Sequence, residues 1–191
     1  MLPQVVTHSR KPLLWRPIDR WQQLRPPSIL RDWLADAGSL TARLITKSEG
    51  RFQVEVLRQV IDRPDLNECQ VLGVRTTGLA LIREVILKGN NQPWVFARSV
   101  LPLTSLTGEL RHLRKQTNRP LGAFLFSQPH LVRSPIAIAA INRNHAYLPV
   151  RLIGPAILWG RRSIFSLHDK PLLVSEVFLP DFIASLPKTT A

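Results

Sequence analysis

The sequence predicts an α+β domain: a six-stranded antiparallel sheet with helices packed on one face. Six segments show the alternation, or the enrichment in β-branched and aromatic residues, that is typical of strands. Three of them follow one another without a helix, and three more follow after a helical insert, which indicates antiparallel neighbours. Hydrophobic residues make up 45% of the 191-residue chain, which is enough for the core of one domain.

The chain begins with a polar stretch and two short helices. Residues 1–25 are basic and interrupted by prolines, and we interpret them as an N-terminal tail before a domain at residues 26–187. A helix is predicted for residues 28–37, because its first residue is a serine that suits the N-cap and its large apolar side chains form one stripe. A second serine opens another short helix at residues 39–45.

Strands dominate the rest of the chain. Residues 52–61 alternate between apolar and polar side chains and predict the first strand, and a loop or helical turn follows at residues 62–67. The other predicted elements are, in order, a hairpin with strands at 79–87 and 94–102, helical segments at 103–116 and 121–126, a strand at 131–141, an irregular connection at 145–155, and a second hairpin with strands at 157–167 and 172–179.

The first hairpin contains two arginines on apolar faces. A turn-forming cluster at residues 89–93 separates its strands. Alternation places Arg83 with leucines and a valine on one strand, and Arg98 with a tryptophan, a phenylalanine and a valine on the other. An arginine stays charged inside a protein, and burying an unpaired charge is costly. We therefore expect an anion between Arg83 and Arg98, and we interpret it as the carboxylate of a ligand.

A carboxylate interrupts the apolar face of the last predicted strand. Glu176 stands there among large apolar side chains. One interpretation is a structural ion pair between Glu176 and Arg83. The other is a polar pocket cut into the sheet face, in which Arg83 and Arg98 bind a carboxylate and Glu176 binds a hydroxyl group.

Two other segments suit anions, although neither is specific. Pro120 near a helix start leaves the backbone N–H groups of Leu121 and Gly122 available to a carboxylate, but a plain helix start has the same pattern. The adjacent Arg161 and Arg162 lie beside a tryptophan. They suit contact with phosphate or RNA, or else a solvated strand edge.

Composition narrows the class of protein without selecting a ligand. The formal net charge is +13, from 26 basic and 13 acidic side chains, and no acidic residue lies between Glu109 and Asp169. Such a charge attracts nucleic acid, anionic lipid or a small acid, or is simply solvated surface. The single cysteine, Cys69, allows no disulfide within one chain, so a reducing cytosolic compartment is expected. We find neither an apolar run long enough for a membrane span nor a signal peptide.

Common cofactor motifs are missing from the sequence. It contains no Walker motif, no G-x-G-x-x-G and no G-x-S-x-G, and its five histidines lack a spacing typical of metal ligands. Cofactor-free chemistry, or plain binding of a small molecule, is therefore expected.

Five groups of residues together have a specific order and spacing. They are LIREVIL at 81–87; Pro93-Trp94 with Ala97-Arg98-Ser99-Val100; Pro120-Leu121-Gly122 with Leu125-Phe126; LWGRRS at 158–163; and KPLL at 170–173 with Glu176, Phe178, Leu179 and Pro180. Over about residues 28–181 the chain thereby resembles the chorismate pyruvate-lyase family. That family converts chorismate to 4-hydroxybenzoate and pyruvate, the first committed step toward ubiquinone in many bacteria. The resemblance also implies a six-stranded sheet and helical flaps that enclose a buried ligand site.

The resemblance implies roles for five residues. Arg83 and the backbone of Leu121 would bind the ring carboxylate of chorismate, and Glu176 would meet its 4-hydroxyl group. Leu40 falls where the family has an apolar side chain that touches the ligand. Arg98 matches a second pocket arginine, which we expect to bind the enolpyruvyl carboxylate. Arg83, Glu176 and Arg98 are thus the predicted catalytic residues.

Other classes of function stay open. The ligand domains of a large family of bacterial transcription regulators share this fold and would bind a small acid without converting it, but the residues before Pro26 are too few for the DNA-binding domain that normally precedes them. A nucleic-acid-binding module suits the charge, but interleaved aromatic residues and a recognition-helix pattern are missing. We expect a cytoplasmic monomer that binds chorismate and 4-hydroxybenzoate without a cofactor or obligatory nucleic acid. Peripheral contact of its basic surface with an anionic membrane is left open.

Overall fold

An eight-stranded sheet forms the centre of the computed structural model, which describes residues 12–115, 119–143, 145–152 and 156–187. The strands are β1 (Arg16–Pro17), β2 (Phe52–Asp62), β3 (Ala80–Gly89), β4 (Gln92–Pro102), β5 (Val132–Arg133), β6 (Ala137–Asn142), β7 (Ile157–Leu167) and β8 (Lys170–Phe178). Their order is β1-β6-β7-β8-β4-β3-β2, with β5 beside β7, and every pair of neighbours is antiparallel. The predicted antiparallel α+β class is confirmed.

Short helices surround this sheet. They are α1 (Trp21–Leu24), α2 (Ser28–Ala35), α3 (Leu40–Lys47), α4 (Leu66–Leu72), α5 (Leu121–Phe126) and α6 (Pro180–Ala184), with 3-10 helices at Ile18–Arg20, Gly108–Lys115 and Val150–Leu152. The sequence predicts α2, α3 and α5 closely. The Ser39 side chain caps α3 by accepting a hydrogen bond from the Ala42 amide at 3.3 Å.

Both faces of the sheet are covered, so the prediction of helices on one face is wrong. On the first face, Val85 and Leu87 belong to a core with side chains from α2, α3 and α6, and a neighbouring core adds α5 and the 3-10 helix after β4. On the second face, Ile86 and Phe96 pack against the segment at residues 145–152, and α4 packs on the same side. Two separate cavities can therefore exist, one on each side of the sheet.

The helix that covers the second face, α4, was not predicted, although the sequence carries its signals. Asp65 and Glu68 form a capping box, in which the Asp65 amide donates to Glu68 Oε2 at 2.9 Å. Gly73 ends the helix with a φ of 66°, the left-handed conformation that glycine adopts most easily. The sequence instead predicts a loop or a short helical turn at residues 62–67, because Pro64 lies there.

The described part of the chain has a sheet of eight strands, so the predicted count of six is not confirmed. The predicted strand at residues 131–141 is divided into β5 and β6 around Pro135, which has no N–H group to donate to a neighbouring strand. In addition, β1 pairs with β6 at one edge of the sheet, where Arg16 faces Ile138. The later part of the predicted tail thus lies on the domain, while residues 1–11 fall outside the described residues.

A β-bulge sets the register of the first hairpin. Its turn pairs Gly89 with Gln92, but further along the ladder Leu87 pairs with Val95, so that Trp94 is an extra residue in β4. The Trp94 ring lies against Gly89, where a Cβ atom would come within 2.1 Å of it. Only glycine leaves room for the ring, and the bulge shifts all later pairs of this hairpin by one residue.

Candidate active site

A cavity in the first face of the sheet, called the first cavity, brings together four of the five predicted site residues. Arg83 on β3, Glu176 on β8, Leu40 at the start of α3 and Leu121 at the start of α5 all line it. The empty space between its walls, counted out into the solvent at its mouth, is about 540 Å³. Its walls are otherwise largely apolar.

Arg83 lies deep in this cavity, with 4% of its surface exposed. Its Nη1 atom donates at 3.3 Å to the backbone oxygen of Arg119, two residues before α5 begins. Burial lowers the pKa of Arg83 below its ordinary value, because the surroundings disfavour the charged form. An anionic group of a ligand would offset this cost.

The carboxylate of Glu176 is held by Arg161, not by Arg83. Arg161 Nε donates to Glu176 Oε2 at 2.7 Å, and the side chains are 1% and 16% exposed, respectively. Arg161 Nη1 also donates to the backbone oxygens of Trp33 at 2.8 Å and Asp36 at 2.7 Å, at the end of α2. The interpretation of Glu176 as the ion-pair partner of Arg83 is therefore wrong, because Arg161 binds the carboxylate and fixes it against the sheet.

Arg133 and Arg161 are cavity residues that the sequence reasoning missed. Arg133 Nε donates to Ser163 Oγ at 3.0 Å and its Nη1 donates to the backbone oxygen of Ala37 at 2.6 Å. Burial, followed by the nearby charge of Arg161, lowers the pKa of Arg133. Alternation along β7 could have revealed Arg161 as a charge on an apolar face. Arg133 lies in a two-residue strand that is too short for such a pattern.

Arg98 does not lie in the first cavity, contrary to the prediction. Because of the bulge, Arg83 pairs with Ser99 while Arg98 pairs with Glu84, which places Arg98 on the second face. Without the extra residue Trp94, continuing the pairing of the turn would put Arg98 opposite Arg83. The expected anion between Arg83 and Arg98 is thus ruled out by their opposite orientations.

Two carboxylates neutralise Arg98 on the second face. Its Nε and Nη2 atoms donate to Glu68 at 2.8 and 3.0 Å, and its Nη1 atom donates to Glu84. The three side chains are 8%, 4% and 13% exposed. Burial alone would lower the pKa of Arg98, but the hydrogen bonds and charge of Glu68 raise it. We infer a structural role for this buried triad.

Two short helices approach each other over the first cavity. Gly122 of α5 lies so near Thr41 of α3 that a Cβ atom would come within 3.0 Å of Thr41 Oγ1. The first amides of α5, including that of Leu121, have no acceptor within the helix and are aligned at its start. Helical flaps that enclose the ligand site stay a prediction.

The charge balance of the first cavity favours a ligand with more than one anionic group. Three arginines line it, Arg83, Arg133 and Arg161, against the single carboxylate of Glu176. A net positive, largely apolar cavity can bind an acid with an apolar body, while Glu176 can accept a hydrogen bond from a hydroxyl group.

Among the described residues, no group of three or more His, Cys, Asp or Glu side chains could hold a metal ion. No helix in that part of the chain is long and apolar enough to cross a membrane.

Comparison with known proteins identifies the relatives of the chain. The family described as chorismate lyase matches residues 10–185. A probable chorismate pyruvate-lyase of Aromatoleum aromaticum is 43% identical over 167 residues, which cover 83% of this chain and 89% of the relative. Proteins of the same name in an Azoarcus species and in Pseudomonas aeruginosa are 45% and 40% identical, covering 82% and 87% of this chain and 88% and 91% of theirs.

Solved structures with a similar fold come from transcription regulators. The effector domain of PhnF from Mycobacterium smegmatis aligns with a TM-score of 0.53 at 18% identity, over 75% of this chain and 90% of that domain. The C-terminal domain of a histidine utilization repressor from Pseudomonas syringae aligns with a TM-score of 0.54 at 12% identity, over 74% and 97%. At such low identity these likenesses concern the fold alone.

Proposed function

The chain belongs to the chorismate lyase family, and from this premise we propose that it converts chorismate to 4-hydroxybenzoate and pyruvate. The observation that carries the proposal is the first cavity, where Arg83, Glu176 and the start of α5 meet. These groups offer a cation, a hydrogen-bond acceptor and free amides to one small ligand. Chorismate has the matching carboxylates, hydroxyl group and apolar ring.

We propose that the ring carboxylate binds between Arg83 and the amide of Leu121. The Arg83 guanidinium reaches the backbone oxygen of Arg119, two residues before α5, so both donors lie at one end of the cavity. At the other end of the ring, the carboxylate of Glu176 then accepts a hydrogen bond from the 4-hydroxyl group. Arg161 holds this carboxylate in the required orientation. Leu40 contributes an apolar contact from α3. Fixing both ends of the ring places the reacting C3 and C4 atoms between them.

The enolpyruvyl carboxylate requires another cation, because Arg98 lies on the opposite face. We assign this role to Arg133. It lines the same cavity, and its described acceptors are backbone oxygens and the Ser163 hydroxyl group, which leave its positive charge available. A cation at this position would also stabilise charge on the departing ether oxygen.

The proposed reaction is an elimination in which no net oxidation occurs. The C3–O bond breaks, its electron pair leaves with the enolpyruvyl group, and hydrogen is lost from C4 as the ring becomes aromatic. The departing enolate gains a proton and becomes pyruvate, so one chorismate yields one 4-hydroxybenzoate and one pyruvate. The chain contributes positioning and electrostatic stabilisation, and Glu176 orients the C4 hydroxyl group. The product would feed ubiquinone-type quinone biosynthesis.

A second candidate function is binding of a small acid without turnover, because the arginines that line the first cavity suit an acid whether or not it is converted. Both functions would use the first cavity. They differ in whether a bound acid is consumed.

Incubation with chorismate tests the proposal. We expect equal amounts of 4-hydroxybenzoate, followed by absorbance, and of pyruvate, followed by a coupled reductase. Arg83→Met should lower kcat/KM at least roughly 100-fold with an unchanged circular dichroism spectrum, because the ring carboxylate loses its charged partner. Arg111→Met, which removes an exposed arginine, is the matched control and should be fully active. Near-normal pyruvate release by Arg83→Met would refute the assignment of Arg83, and saturable binding of chorismate without products would establish the second function instead.

A further inference from the structure

A separate cavity, called the second cavity, lies on the second face of the sheet. It is enclosed by α4, the segment at residues 145–147 and the chain at residues 12–15, and its space including the mouth is about 930 Å³. Arg162 of β7 and Ser175 of β8, which pair across the two strands, line its sheet side. The neighbouring pair, Arg161 and Glu176, points into the first cavity. The second cavity therefore has its own set of polar groups.

Arg162 is a buried cation on the sheet side of this cavity. It is 9% exposed, and its Nη1 atom donates to Asn67 Oδ1 at 2.6 Å. The centre of its guanidinium lies 4.7 Å from the Trp15 ring. In the described ranges of the chain no carboxylate makes a salt bridge with it, and burial lowers its pKa to about 10. Arg162 thus remains charged at neutral pH without a counterion in contact, which is a costly arrangement.

The acidic residues near the second cavity do not supply this counterion. Glu68 uses both carboxylate oxygens for Arg98, at 2.8 and 3.0 Å. Asp65 lines the cavity but is exposed, and Asn67 is a neutral partner. The carboxylate of a ligand can therefore form an ion pair with Arg162, with Ser175 and Asn67 beside it.

We propose that the second cavity binds a small monocarboxylic acid with an apolar or aromatic body. The carboxylate lies on Arg162, and the body packs against Trp15 and the leucines of the cavity wall, Leu13 and Leu66. A second negative charge on the ligand would meet Glu68 and Asp65, so dianions are disfavoured. This site is distinct from the proposed chorismate site, because the sheet separates the two cavities.

The test uses the full chain carrying Arg83→Met, so that binding in the first cavity is impaired, and benzoate as the probe. Nitrogen-15 NMR titration should show saturable shifts of the Trp15 indole N–H and of the Ser175 amide, with a dissociation constant of about 0.1 to 10 mM for so small a ligand. Adding Arg162→Met should weaken binding at least tenfold. Adding Arg63→Met, which removes an exposed arginine near α4, should change the affinity less than twofold. Succinate, a dianion, should bind at least fivefold more weakly than benzoate.

Two further variants keep the test decisive if Arg162→Met does not fold. Arg162→Lys keeps the positive charge and should retain part of the affinity, while Trp15→Ala keeps Arg162 but removes the aromatic wall and should weaken binding severalfold. The proposal is overturned if benzoate causes no saturable shift at these positions, or if it binds with unchanged affinity after Arg162→Met. In those cases Arg162 serves to hold Trp15 on the domain. Tighter binding of succinate than of benzoate would overturn the assigned ligand class.

Discussion

Replacing Arg98 by methionine should damage folding, whereas replacing Arg83 should damage activity. Arg98 makes three hydrogen bonds to two carboxylates, those of Glu68 and Glu84, within a triad that is at most 13% exposed. Methionine keeps much of the apolar stem but removes the charge. The two carboxylates would then remain close together in a buried site without a counterion.

The expected loss is large compared with the stability of a domain. Removing one partner of a buried ion pair costs about 3–5 kcal/mol, and the total unfolding free energy of most domains is about 5–15 kcal/mol. For a chain of this size, such a loss lowers the melting temperature by roughly 6–20 °C. Adding Glu68→Gln to Arg98→Met removes one of the stranded charges and should recover at least about 1 kcal/mol.

Urea unfolding followed by tryptophan fluorescence measures the change, and chorismate turnover is compared per folded molecule. The matched control is Arg58→Met, which breaks an exposed salt bridge to Asp62 with side chains 45% and 53% exposed. It should cost less than about 1 kcal/mol. If Arg98→Met unfolds at the wild-type midpoint while its turnover disappears, Arg98 belongs to the active site and the register described for the hairpin is wrong.

Two other predictions concern buried groups on either face. Arg161→Met leaves the Glu176 carboxylate without its partner and should cost about 3 kcal/mol and most of the turnover. Adding Glu176→Gln should restore part of the stability but not the activity, because the carbonyl groups of Trp33 and Asp36 still lack their donor. Normal turnover of the single variant would contradict the positioning role. Tyr147, the single tyrosine, has a buried hydroxyl whose pKa is raised by burial above its ordinary value of about 10. Because the unfolded chain releases this proton first, stability should fall as the pH rises above about 10. A spectrophotometric titration should show tyrosinate appearing together with unfolding, and ionisation near pH 10 in the folded protein would disprove the burial.

Features that depend on nearby residues were predictable from the sequence. The strands β2, β3, β4, β7 and β8 follow their alternation, and the Ser39 cap marks the start of α3. Alternation also correctly identified Arg83 and Glu176 as charges on apolar faces. Both line the first cavity, because the side-chain period of a strand depends on local geometry alone.

The relation between strands was not predictable in the same way. One extra residue, Trp94, reverses the face on which Arg98 lies, and nothing in the alternation of β4 by itself reveals this shift. The missed helix α4 also affects the role of Arg98, because α4 supplies Glu68 as its ion-pair partner. Arg133 reaches the first cavity only through the three-dimensional packing around a broken strand.

The position of the acidic residues, more than the number of arginines, decides which arginines can bind an anion. The sequence pattern places Arg98, like Arg83, on an apolar strand face. In the structure, however, the guanidinium of Arg98 already donates its hydrogen bonds to Glu68 and Glu84. Arg161 is occupied by Glu176 and by carbonyl groups, so it orients an acceptor instead of binding a substrate carboxylate. Arg133 has only neutral groups as its described hydrogen-bond acceptors and is therefore suited to an external carboxylate. The net charge of +13 does not distinguish these cases, since each arginine contributes equally to it.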